Sequence, residues 1–275
     1  MDLRELLVKS RFQVVVRPQE TTLGLPSGVG SGFMLNYRGR VFFITADHVV
    51  HVDDYQRTPF RHGKDYDAYI LNNVIRNNHE GNPETMETCL GGLYYFDEGS
   101  VDCGGLANFA PVDVAFRELT AEQVGYPYLT PEVNFADGFR VPAGSQKIVF
   151  SEDVITDPSD NDMYFVLGKV KFSFIQPDDA AYSVLNYEIT LKEGLHYVAT
   201  NGDFYKLSTE EQKPPRYEEW GGLSGSPVLN GEGQIIGVLC SISTIDNHVF
   251  VMNIRKVLQL IDYTIQVNHL EQGNE

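Results

Sequence analysis

Short apolar runs recur along the chain, each closed off by Gly, Pro, Asn or Asp. They include Phe12–Val16, Phe33–Asn36, Val41–Thr45, Ala68–Leu71, Asp113–Phe116, Tyr164–Leu167, Val170–Phe174, Tyr187–Leu191, Gln234–Ser241 and His248–Met252. Runs this short, rich in Val, Ile, Phe and Tyr, predict strands. Asn230-Gly231-Glu232-Gly233 lies between two such runs and predicts a hairpin turn. Helical spacing is confined to the ends. Ile254, Val257, Leu258, Ile261 and Ile265 share one face of a terminal amphipathic helix, and the first ten residues predict a shorter one. Many short strands with hardly a helix between them predict an all-β sandwich or barrels. The polar, aromatic stretch from Val52 to Gly105 predicts long loops or an insertion. Pro131, Pro142 and Pro158 place a link between two halves within Leu129–Asp162. There is no repeat of fixed period.

Charge narrows the partners. The 275 residues carry 21 Lys+Arg against 38 Asp+Glu, a net −17. Phosphate backbones demand a cationic face, so nucleic acid is not an expected partner, and neither is an anionic membrane surface. The opening Met1-Asp2-Leu3-Arg4-Glu5 is charged, with no leader-like apolar core, and no apolar run reaches membrane-span length. Cys89, Cys103 and Cys240 are an odd, scattered set, which reads as reduced thiols in a cytoplasm.

Gly28-Val29-Gly30-Ser31-Gly32-Phe33 invites a phosphate-loop reading, but no Gly-Lys-Ser/Thr follows and the next segment is a strand. Glycines that admit a tight bend before that strand are the better reading. The acidic Glu152–Asp162 misses the ligand spacing of a calcium loop, and no His/Cys pair has metal-ligand spacing. No metal or cofactor is expected. Gly221-Gly222-Leu223-Ser224-Gly225-Ser226-Pro227-Val228 carries more information. Glycines on both sides of Ser224 allow a sharp turn that exposes the hydroxyl and points successive N–H groups into one pocket. A plain Gly/Ser turn is the bland alternative. Among seven histidines, His48 follows the apolar strand Val41–Thr45 directly, a rigid mount for a general base; His51 lacks that placement. Asp113 is embedded in the apolar Pro111–Phe116, and a carboxylate there needs a partner. Orienting an imidazole would supply one.

The order is therefore His48, Asp113, Ser224, with spacings of 65 and 111 residues. Ile44-Thr45-Ala46-Asp47-His48-Val49, Asp113-Val114-Ala115 and Gly222-Leu223-Ser224-Gly225-Ser226-Pro227 together resemble the trypsin-like (chymotrypsin-fold) serine peptidases, closer to the bacterial branches than to the secreted animal ones. Gly32-Phe33 resembles the HtrA-type peptidases. Ser224–Val228 and Val249–Val251 resemble the glutamyl endopeptidases. The resemblance implies two six-stranded antiparallel β-barrels and a C-terminal helix. Residues 1–135 would carry His48 and Asp113, and residues 136–275 would carry Ser224. It implies a serine endopeptidase acting on protein or peptide substrates through an acyl-enzyme, with the N–H groups of Gly222 and Ser224 as the oxyanion hole.

Departures qualify that picture. Leu223 stands where an Asp often pairs with a freed N-terminus on zymogen activation, so that route is not expected. HtrA-type chains carry a peptide-binding PDZ domain; only ten residues follow Ile265, and none is expected. Leu239 follows Gly237-Val238 where glutamyl endopeptidases place a specificity His. Glu218, six residues before Ser224, would sit at the floor of the pocket that reads the side chain before the scissile bond, selecting Arg or Lys. Cys240, Ser241 and Ile242 would line the cleft, with Cys240 itself a buried small hydrophobe. Two alternatives stand beside the active protease: a catalytically silent protease fold used as a binding module, and an intracellular protease switched by a regulatory protein partner.

Overall fold

The computed structural model describes residues 1–18, 26–52, 66–77, 83–101, 107–124, 132–175, 184–211 and 213–272. Helix α1 (Leu3–Ser10), N-capped by the Asp2 carboxylate on the Arg4 N–H, leads straight into β1 (Arg11–Pro18). Then come β2 (Gly28–Tyr37), β3 (Arg40–Thr45), the one-turn helix α2 (Asp47–Val50), β4 (Tyr66–Asn77), β5 (Pro83–Gly91), β6 (Tyr94–Val101), β7 (Ala107–Glu118) and α3 (Ala121–Val124). These strands form a curled antiparallel sheet in the order β5-β4-β1-β2-β3-β7-β6. The short β8 (Val133–Asn134) and β9 (Arg140–Val141) pair with each other, and β10 (Phe150–Ser151) returns to lie parallel to β2.

The second half is β11 (Met163–Ile175), β12 (Val184–Asn201), β13 (Phe204–Ser208), the short helix α4 (Tyr217–Trp220), β14 (Pro227–Asn230), β15 (Ile235–Ile242) and β16 (His248–Asn253). Its six strands close into a barrel, β11-β12-β13-β16-β15-β14. Helix α5 (Ile254–Gln272) follows without a break. The all-β reading holds, with a closed six-stranded barrel, a curled sheet in place of a second closed ring among the described residues, and one long C-terminal helix.

Two sequence readings need correction. Much of the stretch from Val52 to Gly105 is not loop: it supplies β4, β5 and β6, with residues 53–65, 78–82 and 102–105 of it outside the described residues. The glycines from Gly28 to Gly32 make no bend; they lie inside β2. Their missing side chains are used for close approach. A Cβ on Gly30 would collide with Val49, and one on Gly32 would collide with Phe43. Helix α2 therefore rests directly on the backbone of β2.

A first core cluster spans both halves. It joins Phe12, Phe33, Phe43 and Phe116 of the curled sheet to Leu229, Val238 and Met252 of the barrel and to Ile254, Val257 and Ile261 of α5. A second, with Tyr164, Val166, Leu207, Trp220, Leu223 and Val251, fills the barrel. Each fully buried large side chain contributes about 1.5–3 kcal/mol. Among the described residues, no helix is long and apolar enough to cross a membrane.

Candidate active site

His48 rides on α2, immediately after β3 ends at Thr45. The packing of Val49 against Gly28 and Gly30 fixes where that turn sits. Asp113 comes from β7, at a break in the β6–β7 register where Tyr95 opposes Ala115 but Phe96 opposes Val112. Such irregularities re-aim a side chain out of the ladder. The carboxylate meets His48 twice. Its two oxygens lie 2.9 and 3.0 Å from Nδ1, and Oδ1 accepts the His48 backbone N–H at 3.1 Å. A carboxylate only accepts, so Nδ1 carries the proton and Nε2 keeps its lone pair. The imidazole remains 31% exposed, so its far edge reaches the surface. Burial works against the charged ring, but the hydrogen bond and charge of Asp113, joined by the charge of Asp47, outweigh it and raise the His48 pKa above its ordinary value.

Asp47 itself is fully buried, with His51 Nδ1 2.6 Å from its Oδ1. His51 thus serves a neighbouring carboxylate, and its ring stands edge-on to Tyr95.

Ser224 lies on the turn between α4 and β14. The Leu223 N–H donates to the Trp220 carbonyl at 3.0 Å, Gly221 has φ −61° and ψ 123°, and Gly222 has φ 99°. That is a type II turn, which requires the left-handed conformation at Gly222. The N–H groups of Leu223, Gly225 and Ser226 donate to the Trp220, Leu239 and Leu223 carbonyls. Those of Gly222 and Ser224 have no acceptor among the described residues. Leu223 is fully buried in the barrel core, beside Gly168. Gly225 presses against Ser31, Thr45 and Ala46, so the serine loop abuts the segment that leads into His48.

Ser31 ties the two halves at this point. Its N–H donates to the Ser224 carbonyl at 2.8 Å, and its hydroxyl donates to the Gly222 carbonyl at 2.7 Å. The one sequence signal for this role of Ser31 is a serine inside a glycine run. Cys240 lies close by. It is the extra residue of a bulge in β15, where Leu239 pairs with Val251 and Ser241 with Phe250. Its thiol donates to the Asp113 carbonyl at 3.1 Å, and its carbonyl accepts the Ser224 hydroxyl at 3.4 Å. Burial, then the charge of Asp113, holds the thiol well above its usual pKa, so it stays protonated. Ser241 is exposed and Ile242 half-buried, beyond the last β14–β15 pair at Val238. Glu218 stands exposed on α4, and Lys192 pairs with its neighbour Glu219, at 4.0 Å.

A histidine–carboxylate pair on a curled β-sheet and a glycine-flanked serine on a closed barrel lie near the junction of two β lobes, with the Ser224 hydroxyl donating to the Cys240 carbonyl. No protein-family model and no curated relative matches the sequence. Among solved structures, the chain is similar to the serine endoprotease from Yersinia pestis, with a TM-score of 0.46 and 13% identity over 97% of this chain and 67% of the other. A likeness at that level leaves the chemistry to be argued from this chain's own residues.

Proposed function

We propose that the protein is a serine endopeptidase with His48, Asp113 and Ser224 as its triad. The observation that carries the reading is the His48–Asp113 pair, which fixes ring, tautomer and backbone together. In this reading His48 Nε2 takes the Ser224 proton as Oγ attacks a peptide carbonyl, and Asp113 stabilises the imidazolium. The N–H groups of Gly222 and Ser224 receive the developing oxyanion. His48 then returns the proton to the leaving amine, and water releases the acyl-enzyme. The Ser224 hydroxyl rests on the Cys240 carbonyl, so attack begins with a rotation away from it. The peptide would add as a strand along Cys240–Ile242, where β15 has β16 on one side only. Two β lobes, divided near residue 135, would each bring one part of the site. Leu223 burial and the Ser31 hydrogen bonds hold the serine loop, so no freed N-terminus is needed to order it.

An active-site fluorophosphonate tests the reading. Labelling at Ser224, lost in Ser224→Ala and in His48→Ala, is expected. A folded chain that never labels would favour the silent binding module.

A further inference from the structure

Three cations lie buried between the halves: Arg11 at the start of β1, Lys147 before β10, and Lys169 on β11, at 4%, 5% and 5% exposure. Among the described residues no carboxylate pairs with any of them. A buried cation without a counter-charge is costly, so each needs an account. Lys147 has one. Its ammonium donates to the carbonyls of Val8, at 3.0 Å, and Arg11, closing the C-terminal end of α1. Arg11 is only partly accounted for. Nε donates to the Ser31 hydroxyl at 2.9 Å and Nη2 to the Gln13 side-chain oxygen at 2.7 Å, two of its five donors. Lys169 has the least. Strand alternation places it in the row of Phe165 and Leu167, facing the curled sheet. Its Nζ sits 3.6 Å from the centroid of the Tyr187 ring, and it has no oxygen acceptor among the described residues. Burial pulls Arg11 down to about 10, and it pulls Lys169 far below the usual lysine value, with Arg11 and Lys147 adding repulsion.

We propose that Arg11 and Lys169 form a buried binding site for a small oxyanion of the phosphate or sulfate class. The unspent donors of a guanidinium fork match two oxygens of such an ion, and an ammonium supplies a point charge beside them. The site is wired to the serine loop: Arg11 holds the Ser31 hydroxyl, which holds the Gly222 carbonyl, and the Ser31 N–H holds the Ser224 carbonyl. Occupancy would brace the oxyanion turn; that coupling, unlike the binding, rests on Ser224 being the nucleophile.

The test uses the full chain, titrated with sodium sulfate and then sodium phosphate at constant ionic strength against sodium chloride. Wild type should show a saturable binding heat and a saturable rise in Tm. Lys169→Met should bind about tenfold or more weakly and should melt higher than wild type in chloride alone, since a buried charge has been removed. No saturable heat in wild type overturns the site, and this arm needs no variant. Equal sulfate responses in wild type and Lys169→Met also overturn it, because a general salting effect is shared by both. The fluorophosphonate labelling rate, followed along the same titration, should rise with the same midpoint. A rate indifferent to occupancy overturns the coupling. Saturable binding with no labelling at any sulfate concentration supports the site and overturns the nucleophile instead.

Discussion

Asp113 grips His48 through the ring and through the backbone N–H, so one carboxylate sets both the position of α2 and the tautomer of its histidine. Two predictions follow at the scale of single side chains. Ser224→Ala removes one hydroxyl and no core, so it should fold as wild type while kcat falls about 10⁴-fold or more, and His48→Ala should match it. Because triad members act as a unit, the double variant should be little worse than either single; additive losses, measured by steady-state kinetics, would break the assignment. The second prediction concerns pH. In the proposed mechanism only neutral His48 accepts the Ser224 proton, and its pKa is raised, so kcat/KM should climb with pH to a midpoint above about 6.5. Asp113→Asn removes the main raising influences and leaves burial, so the midpoint should move down as the rate collapses. The same pairing contributes folding stability that is complete below the unfolded value of about 6.5 and lost as pH rises through the raised folded value. A midpoint that does not move in Asp113→Asn would show that some other group titrates.

Elements decide how closely these side chains approach. The strand bearing Asp113 and the strands that flank His48 and Ser224 were legible in the sequence, because each is a short apolar run closed off by turn residues. The glycines of β2 were not legible as a seat for α2, since what uses their missing side chains is Val49, from another element. Nor could spacing show that Cys240 is a bulge residue linking Asp113 to Ser224, or that Ser31 clamps the serine loop; both depend on pairings between distant strands. Spacing is equally silent on the setting of Glu218. Six residues before the serine is a fixed distance along the chain, but α4 turns that position out to solvent. The seat of α2 can be tested. Gly30→Ala puts a methyl into Val49, costing about 1–3 kcal/mol of overpacking and displacing His48. Its kcat loss should exceed that of a stability-matched core variant, and Val49→Ala should recover part of both deficits in a double-mutant cycle. Strict additivity between the two positions would mean that the glycine is not the seat.

On the scale of the molecule, the curled sheet and the barrel share the first core cluster, and α5 covers it from outside. The helix reaches both halves. It buries Ile254, Val257 and Ile261, accepts the Tyr37 hydroxyl on Asp262 at 3.0 Å, pairs Asp262 with Arg38 at 2.9 Å, and donates from Asn268 to the Tyr94 hydroxyl at 3.1 Å. The exposed ion pair contributes little on its own; the apolar seam does more, because Ile254, Val257 and Ile261 belong to the core cluster that joins the two halves. The proposed triad draws His48 and Asp113 from the sheet and Ser224 from the barrel, so separating the halves would dismantle it. Unfolding should therefore be one transition, with secondary structure, tertiary signal and fluorophosphonate labelling lost at one temperature. Ile261→Ala, 37 residues beyond Ser224 in sequence, should lower that shared midpoint through a cavity costing about 2–5 kcal/mol. Labelling at temperatures below the transition should stay at the wild-type rate. Scanning calorimetry reads the outcome directly: two separated peaks, only one of them moved by Ile261→Ala, would mean that barrel and sheet fold independently and meet only at the cleft.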